Sequence, residues 1–391
     1  MKICFLTVNP FKFGGQERIV TVIANELVKK GHEVSIIYTH NKNQKDTTVY
    51  NLSKKIKIFF CEGNKKNYFN KIISKIIRFI NENTNILLNN EKLLKKAYFT
   101  KDCKINNELV SILNENQFDI VIGVAGYYSA LLGVLKEKIN SKTYGWQHSC
   151  YEAYFKTRKK YYWHLDTIFK KYLKKLDGYI VLTNSDKNKV DESFNINSFV
   201  LNNPLSFTTD KKTNLSKKTF LSLGRLEEAK GYDLLLESFK IFAKKNKDWN
   251  LKIVGDGTKK EFIREKIKEY GLEERIILYP FTKEVDSFMA DSSIFLFPSK
   301  WEGFGLVATE AFECGLPVIA YKLDPLCEII DDKVNGILID KFDHHKYADA
   351  MIKLSYDKET IKKMSKEALK KSKIYNIENI IKLWEKYLEI K

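Results

Sequence analysis

Short apolar runs alternate with amphipathic stretches of helical period in two separate series, and this alternation most narrows the folds open to the chain. The first series starts at once. Residues 3–8 read as a buried strand, and Gly14-Gly15 opens a helix whose Ile19, Val22, Ile23 and Leu27 recur at helical spacing. Gly31-His32 ends that helix, Glu33–Tyr38 is a second strand, and further strands are expected at 119–124, 143–146 and 179–182. The second series begins with a strand at 220–224 and a helix at 233–245, with Leu235, Phe239 and Phe242 on one face. It continues through a strand at 251–254, a helix at 261–270 and strands at 275–279, 294–297 and 318–320. Such alternation implies parallel sheets with helices on both faces and right-handed crossovers. The expected class is therefore α/β. A chain of 391 residues is too long for one ordinary core. The polar stretch 202–215, broken by Pro204, sets the expected domains at 1–204 and 205–375. A closing helix is expected at 377–389, with Ile380, Ile381, Trp384 and Leu388 on one side.

The formal net charge of +18 asks for an anionic partner: nucleic acid, an anionic membrane or a phosphorylated substrate. Residues 62–101 and 156–175 carry most of it. No nucleic-acid recognition motif accompanies the charge, so a nucleic-acid-binding protein is the weaker alternative and no nucleic-acid partner is expected. In the segment 69–80, Phe69, Ile72, Ile73, Ile76, Ile77 and Ile80 form one face, with Lys71, Lys75 and Arg78 towards the other. That helix either faces a core or lies on anionic lipid. Tyr161, Tyr162, Trp163 and Phe169 within the basic stretch 156–175 favour the lipid. No run approaches the length of a transmembrane helix, and the N-terminus reads as a strand rather than a signal peptide. The six cysteines are scattered with no C-x-x-C pair, which fits a reducing cytosol and no zinc site or disulfide framework. The expected location is cytoplasmic, peripheral on the inner face of the cell membrane.

Chemistry concentrates in the run from Phe297-Pro298-Ser299 through Glu302-Gly303-Phe304-Gly305-Leu306 to Glu310 and Gly315-Leu316-Pro317. It reads as strand, glycine loop and helix. Gly303 and Gly305 let backbone N–H groups approach a ligand, and a helix start suits an anion. Glu310 falls in an otherwise apolar helix and needs a partner there, for which a sugar hydroxyl is suited; Glu302 is either a ligand group or a solvated loop residue. Arg225 follows a strand, and Lys230-Gly231 precedes the next helix, so the two cations make an anion site or ordinary surface charges. Gly14-Gly15 is not G-x-G-x-x-G, so a dinucleotide fingerprint is absent. His148, after Tyr144-Gly145-Trp146-Gln147, is structural or a site residue, and Gly255-Asp256-Gly257 a turn or a nucleotide-bordering loop. The chain has no Asp-x-Asp, and His344-His345 lies in a polar stretch read as a solvated loop, so no catalytic metal is expected.

Phe297-Pro298-Ser299, Glu302-Gly303-Phe304-Gly305 and Glu310-Ala311, with Gly224-Arg225-Leu226 and Lys230-Gly231-Tyr232-Asp233, resemble the donor-sugar motifs of retaining glycosyltransferases of family 4. The resemblance covers nearly the whole chain; residues 45–115 match no motif. It implies the GT-B fold: two Rossmann-like domains facing an interdomain cleft, with the last helix, 376–391, crossing back to the first domain. It implies Glu302, Arg225, Lys230 and His148 as the catalytic set. Arg225 and Lys230 would neutralise the donor diphosphate, Glu302 would orient the sugar, Glu310 would hold the ribose, and His148 would contact sugar hydroxyls. Gly14, Gly15, Gly255, Asp256, Phe281, Gly303, Phe304, Gly305 and Leu306 would complete the donor site. Where relatives often carry glycine, Pro280 supplies no N–H before Phe281. The implied reaction moves a hexose from a UDP-sugar to a glycan or glycolipid acceptor, such as a capsule or lipopolysaccharide precursor, with no metal or other cofactor. A same-fold nucleotide-sugar epimerase and a non-catalytic sugar-binding relative are the alternatives.

Overall fold

The computed structural model describes residues 1–40, 50–61, 68–99 and 103–390, and for 68–71 and 103–105 the backbone alone. The chain forms two compact units, Met1–Pro204 with Ile377–Lys391, and Leu205–Asn376.

The first unit holds a seven-stranded parallel sheet. Its strands are β1 (Lys2–Thr7), β2 (Glu33–Tyr38), β3 (Lys57–Phe60), β4 (Ile120–Val124), β5 (Lys142–Trp146), β6 (Gly178–Val181) and β7 (Phe199–Val200). Their order is β3-β2-β1-β4-β5-β6-β7. Ile3 lies opposite Val34 on one side and Ile120 on the other. Both faces of β1 are covered, which is why it reads as a continuous apolar run rather than an alternation. The helix Gly15–Lys29 buries Ile19, Val20, Ile23 and Leu27. The closing helix Ile377–Leu388 packs Ile380, Ile381, Trp384 and Leu388 inward, with the Trp384 ring edge-on to Trp146 at 4.7 Å.

The helix Tyr68–Asn83 departs from the single apolar face expected of it. Ile77 is buried, and Ile73 and Ile80 pack against the core, whereas Ile72 and Ile76 are exposed. Neighbouring residues on a helix stand about 100° apart, so turning the 73/77/80 row inward rotates the 72/76 row out. Arg78 does not simply face solvent; it donates to the Ala97 carbonyl at 2.9 Å and sits over the Tyr98 ring. The side chains of Phe69 and Lys71 lie outside the described residues.

The second unit carries β8 (Thr219–Leu223), β9 (Asn250–Val254), β10 (Ile276–Tyr279), β11 (Ile294–Phe297), β12 (Val318–Tyr321) and β13 (Gly336–Ile339). They form a parallel sheet in the order β10-β9-β8-β11-β12-β13. Leu235, Leu236, Phe239 and Phe242 of the helix Tyr232–Lys245 fill the core on one face. His344 and His345 are not in a loop; they open the helix Tyr356 closes, with Asp343 as its cap. Each sheet with its helices is a Rossmann-like unit of the kind that the resemblance implies. In each sheet the chain order reverses once, between β1 and β4 and between β8 and β11. At such a point the loops leaving neighbouring strands diverge to opposite faces and open a crevice at the C-terminal edge.

Candidate active site

The loops leaving β8 and β11 meet at the second unit's reversal point, since β8 and β11 are paired neighbours. After β11 come Pro298 to Gly305, then the helix Leu306–Glu313. After β8 come Gly224 to Gly231, then the helix Tyr232–Lys245. Two backbone features hold the loops together. The Lys300 N–H donates to the Ala229 carbonyl at 2.8 Å. Gly231, in the left-handed region at φ 66°, passes so close to the Pro298 carbonyl that a Cβ would stand 2.1 Å from its oxygen. Lys300 Nζ adds ion pairs to Glu228 and, at 2.9 Å, to Asp233. Lys259 also pairs with Glu228, and the two lysines hold its carboxyl down to about 2.

Within this frame Lys230 and Glu302 are brought together. Lys230 Nζ donates to Glu302 Oε1 at 2.6 Å, and Ser299 Oγ donates to the same oxygen at 2.7 Å. The Ser299 side chain is buried, and Glu302 keeps 11% of its side chain exposed. One carboxylate oxygen is thus committed to two donors that fix its position. Ser299 stood in the sequence motif without a role. Its signal was a hydroxyl three residues before a loop carboxylate, a spacing that lets it act as a local donor.

Arg225, one residue beyond Gly224, is exposed, and its side chain makes no ion pair among the described residues. A guanidinium outside any ion pair keeps its N–H donors open to an anion. Glu310 is fully buried in the helix Leu306–Glu313, and its Oε1 accepts from Ser206 Oγ at 2.5 Å. The expected partner of this carboxylate therefore includes a hydroxyl of the chain itself. The Phe304 side chain is buried edge-on to Tyr375 at 5.7 Å, so it anchors the loop and leaves only its backbone to a ligand. Gly303 and Leu306 are half-buried. Gly305 begins the helix at φ 107°, where a Cβ would stand 2.5 Å from Leu326. Gly255 follows β9, and a Cβ there would meet the Gly224 carbonyl at 2.0 Å. Asp256 is tied to Lys260 at 3.1 Å and to the Gly257 N–H, a local turn arrangement. Phe281, beyond β10, is 54% exposed.

Gly14, Gly15 and His148 belong to the first unit. Gly14 precedes the helix Gly15–Lys29, and its N–H donates to the Tyr50 hydroxyl at 2.8 Å. His148 lies just past β5, half-buried, its ring tilted against that of Trp146 with centroids 4.1 Å apart. Its Nε2 is enclosed without a hydrogen-bond partner among the described residues. Burial pushes its pKa down to about 3, so the ring is neutral at physiological pH. Among the described residues, no group of three or more His, Cys, Asp or Glu is placed to hold a metal ion.

Comparison with known proteins agrees with this architecture. Residues 13–205 match the model described as Glycosyltransferase Family 4, and residues 207–371 the model described as Glycosyl transferases group 1. The chain is 30% identical to an uncharacterized glycosyltransferase of Haemophilus influenzae, over 98% of this chain and 99% of that one. It is 31% identical to the amylovoran biosynthesis glycosyltransferase AmsD of Erwinia amylovora, over 54% and 61% of the two chains. Among solved structures, a Staphylococcus aureus TarM mutant in complex with Fondaparinux, alpha-GlcNAc-glycerol and UDP superposes with a TM-score of 0.74. It covers 99% of both chains at 16% identity, a likeness of fold. The chain is a family 4 glycosyltransferase with the GT-B fold.

Proposed function

We propose that this glycosyltransferase moves a hexose (glucose, galactose or an N-acetylhexosamine) from a UDP-sugar to a hydroxyl of a surface-glycan, lipid-linked or lipopolysaccharide acceptor. The reading has the product retain the anomeric configuration and needs no metal. The observation that carries it is the cation–carboxylate pair of Lys230 and Glu302 at the reversal point between β8 and β11, with Arg225 exposed on the loop that also carries Lys230. The AmsD relative, named for amylovoran biosynthesis, and the UDP in the TarM structure support the acceptor class and the donor nucleotide.

Arg225 and Lys230 bind the diphosphate and stabilise the charge that develops as the bond from the anomeric carbon to the diphosphate oxygen breaks. The acceptor oxygen forms the new bond on the same face of the sugar, and its proton passes to the departing diphosphate oxygen, so no enzyme base is required. Glu302, held through Oε1 by Lys230 and Ser299, turns its other oxygen to the sugar and offsets positive charge at the anomeric carbon. Glu310 holds the ribose. Neutral His148 contacts sugar hydroxyls and carries no proton between steps.

The test is UDP release across UDP-glucose, UDP-galactose and their N-acetyl forms, with a membrane glycolipid extract as acceptor and with or without EDTA. The expected result is one preferred donor, acceptor-dependent release and no effect of the chelator. Loss of turnover with EDTA would end the metal-free mechanism. An epimerised nucleotide-sugar formed without acceptor would replace transfer by epimerisation.

A further inference from the structure

The buried carboxylate of Glu310 is met by a stretch of chain that the sequence marks only as a linker. Residues 205–213, which follow Pro204, are fastened at several points to the structure around the helix Leu306–Glu313. The Leu205 N–H donates to the Tyr375 carbonyl at 2.8 Å, and the Tyr375 ring meets Phe304 of the glycine loop. Lys212 Nζ pairs with Glu313 Oε1 at 2.7 Å, and the Thr213 N–H donates to the Cys314 carbonyl at 2.9 Å. Ser372 Oγ donates to the second oxygen of Glu313 at 3.0 Å. Between these anchors the chain delivers Ser206 Oγ to Glu310 Oε1.

The two partners differ in what they offer a ligand. No part of Glu310 is exposed, whereas Ser206 is only half-buried. Leu306 opens the helix and Glu310 follows one turn later on the same side, its side chain tilted back towards the helix start and the loop that carries Glu302. A serine hydroxyl has one hydrogen and two acceptor lone pairs. Donation to Glu310 commits the hydrogen, because a carboxylate is a stronger acceptor than a neutral hydroxyl. The Ser206 oxygen then faces other groups as an acceptor, and its bond to the carboxylate polarises it in that role.

We propose that Ser206 is a direct ligand of the donor ribose. A ribose hydroxyl donates to Ser206 Oγ, whose own hydrogen is held by Glu310. Glu310 thus holds the ribose through Ser206: the buried carboxylate orients and polarises the hydroxyl, and the hydroxyl touches the nucleotide. The inference rests on the reading of Glu310 as the ribose-holding group and adds the residue through which it acts.

The test is calorimetric titration of the full chain with UDP and with its dideoxyribose analogue, which lacks both ribose hydroxyls. The wild type is expected to prefer UDP by about tenfold. In S206A the affinity for UDP falls to that for the analogue, which itself stays within about twofold of its wild-type value. S206T, which keeps the hydroxyl, keeps the preference. A general loss of structure weakens both ligands alike, so the ratio measured on one preparation reads the hydroxyl alone. A preference kept in S206A overturns the inference; if E310Q then loses it, Glu310 takes the ribose directly and the reading of the site survives. A wild type with no preference overturns the ribose reading of Glu310 and the inference with it.

Discussion

Replacing Glu302 with Gln separates the two tasks assigned to the site. Glutamine can still accept from Lys230 and Ser299 through its amide oxygen, so the loop geometry is kept while the negative charge goes. In the free protein that charge competes with a diphosphate for Lys230. The pair is partly open to solvent, with 18% and 11% of the two side chains exposed. It is therefore worth about 1 kcal/mol rather than the several of a sealed pair. Removing the competition strengthens binding of UDP by up to about fivefold. The sugar side moves the other way. Losing a carboxylate aimed at developing positive charge costs about 3 kcal/mol of transition-state stabilisation, roughly a hundredfold in kcat/KM. Calorimetric titration with UDP, set beside steady-state UDP release from the preferred donor, reads both numbers on the same preparation. A tenfold loss of UDP affinity, or an unchanged kcat/KM, would refute the division of labour between Lys230 and Glu302.

Ser299→Ala removes one of the two donors on Glu302 Oε1 and is expected to lower kcat about tenfold while UDP affinity stays within twofold, in steady-state and calorimetric assays. Gly231→Ala places a Cβ in the left-handed region and against the Pro298 carbonyl; it should cost about 2 kcal/mol or more and lower the melting temperature by several degrees in calorimetry. His148, with a folded pKa near 3 against an unfolded value near 6.5, binds its proton only in the unfolded chain between those values. Stability is therefore lost as the pH falls below 6.5. Between pH 7 and pH 5 this residue alone removes about 2 kcal/mol, and His148→Gln should lose that much less in urea titrations over the same interval.

The α/β class was legible because strands buried on both faces read as unbroken apolar runs, as at Ile3–Leu6 and Ile294–Phe297. The strands that escaped are Lys57–Phe60, Phe199–Val200 and Gly336–Ile339. They lie at sheet edges and are partly buried, and their apolar runs, such as Ile58-Phe59-Phe60 and Ile337-Leu338-Ile339, are too short to tell from a loop by pattern alone. The helix Tyr68–Asn83 was legible as a helix, but its sequence could not say which row faces inward, because isoleucines occupy both rows. At the site, glycine spacing located the loops, since close approach and left-handed backbone at Gly231 and Gly305 leave only glycine. Pairing was not legible. Lys230 and Glu302 are far apart in sequence, and only the β8–β11 neighbourhood joins them. The enclosure of His148 Nε2 was equally hidden, because no spacing shows that its ring lies against that of Trp146.

The most direct test of the central claim is a crystal structure of the protein with a UDP-sugar bound. The account predicts the diphosphate on Arg225 and Lys230, with Glu302 turned to the sugar and Ser299 still bonded to its carboxylate. A nucleotide bound elsewhere, with the Lys230–Glu302 pair intact and Arg225 still in solvent, would contradict it.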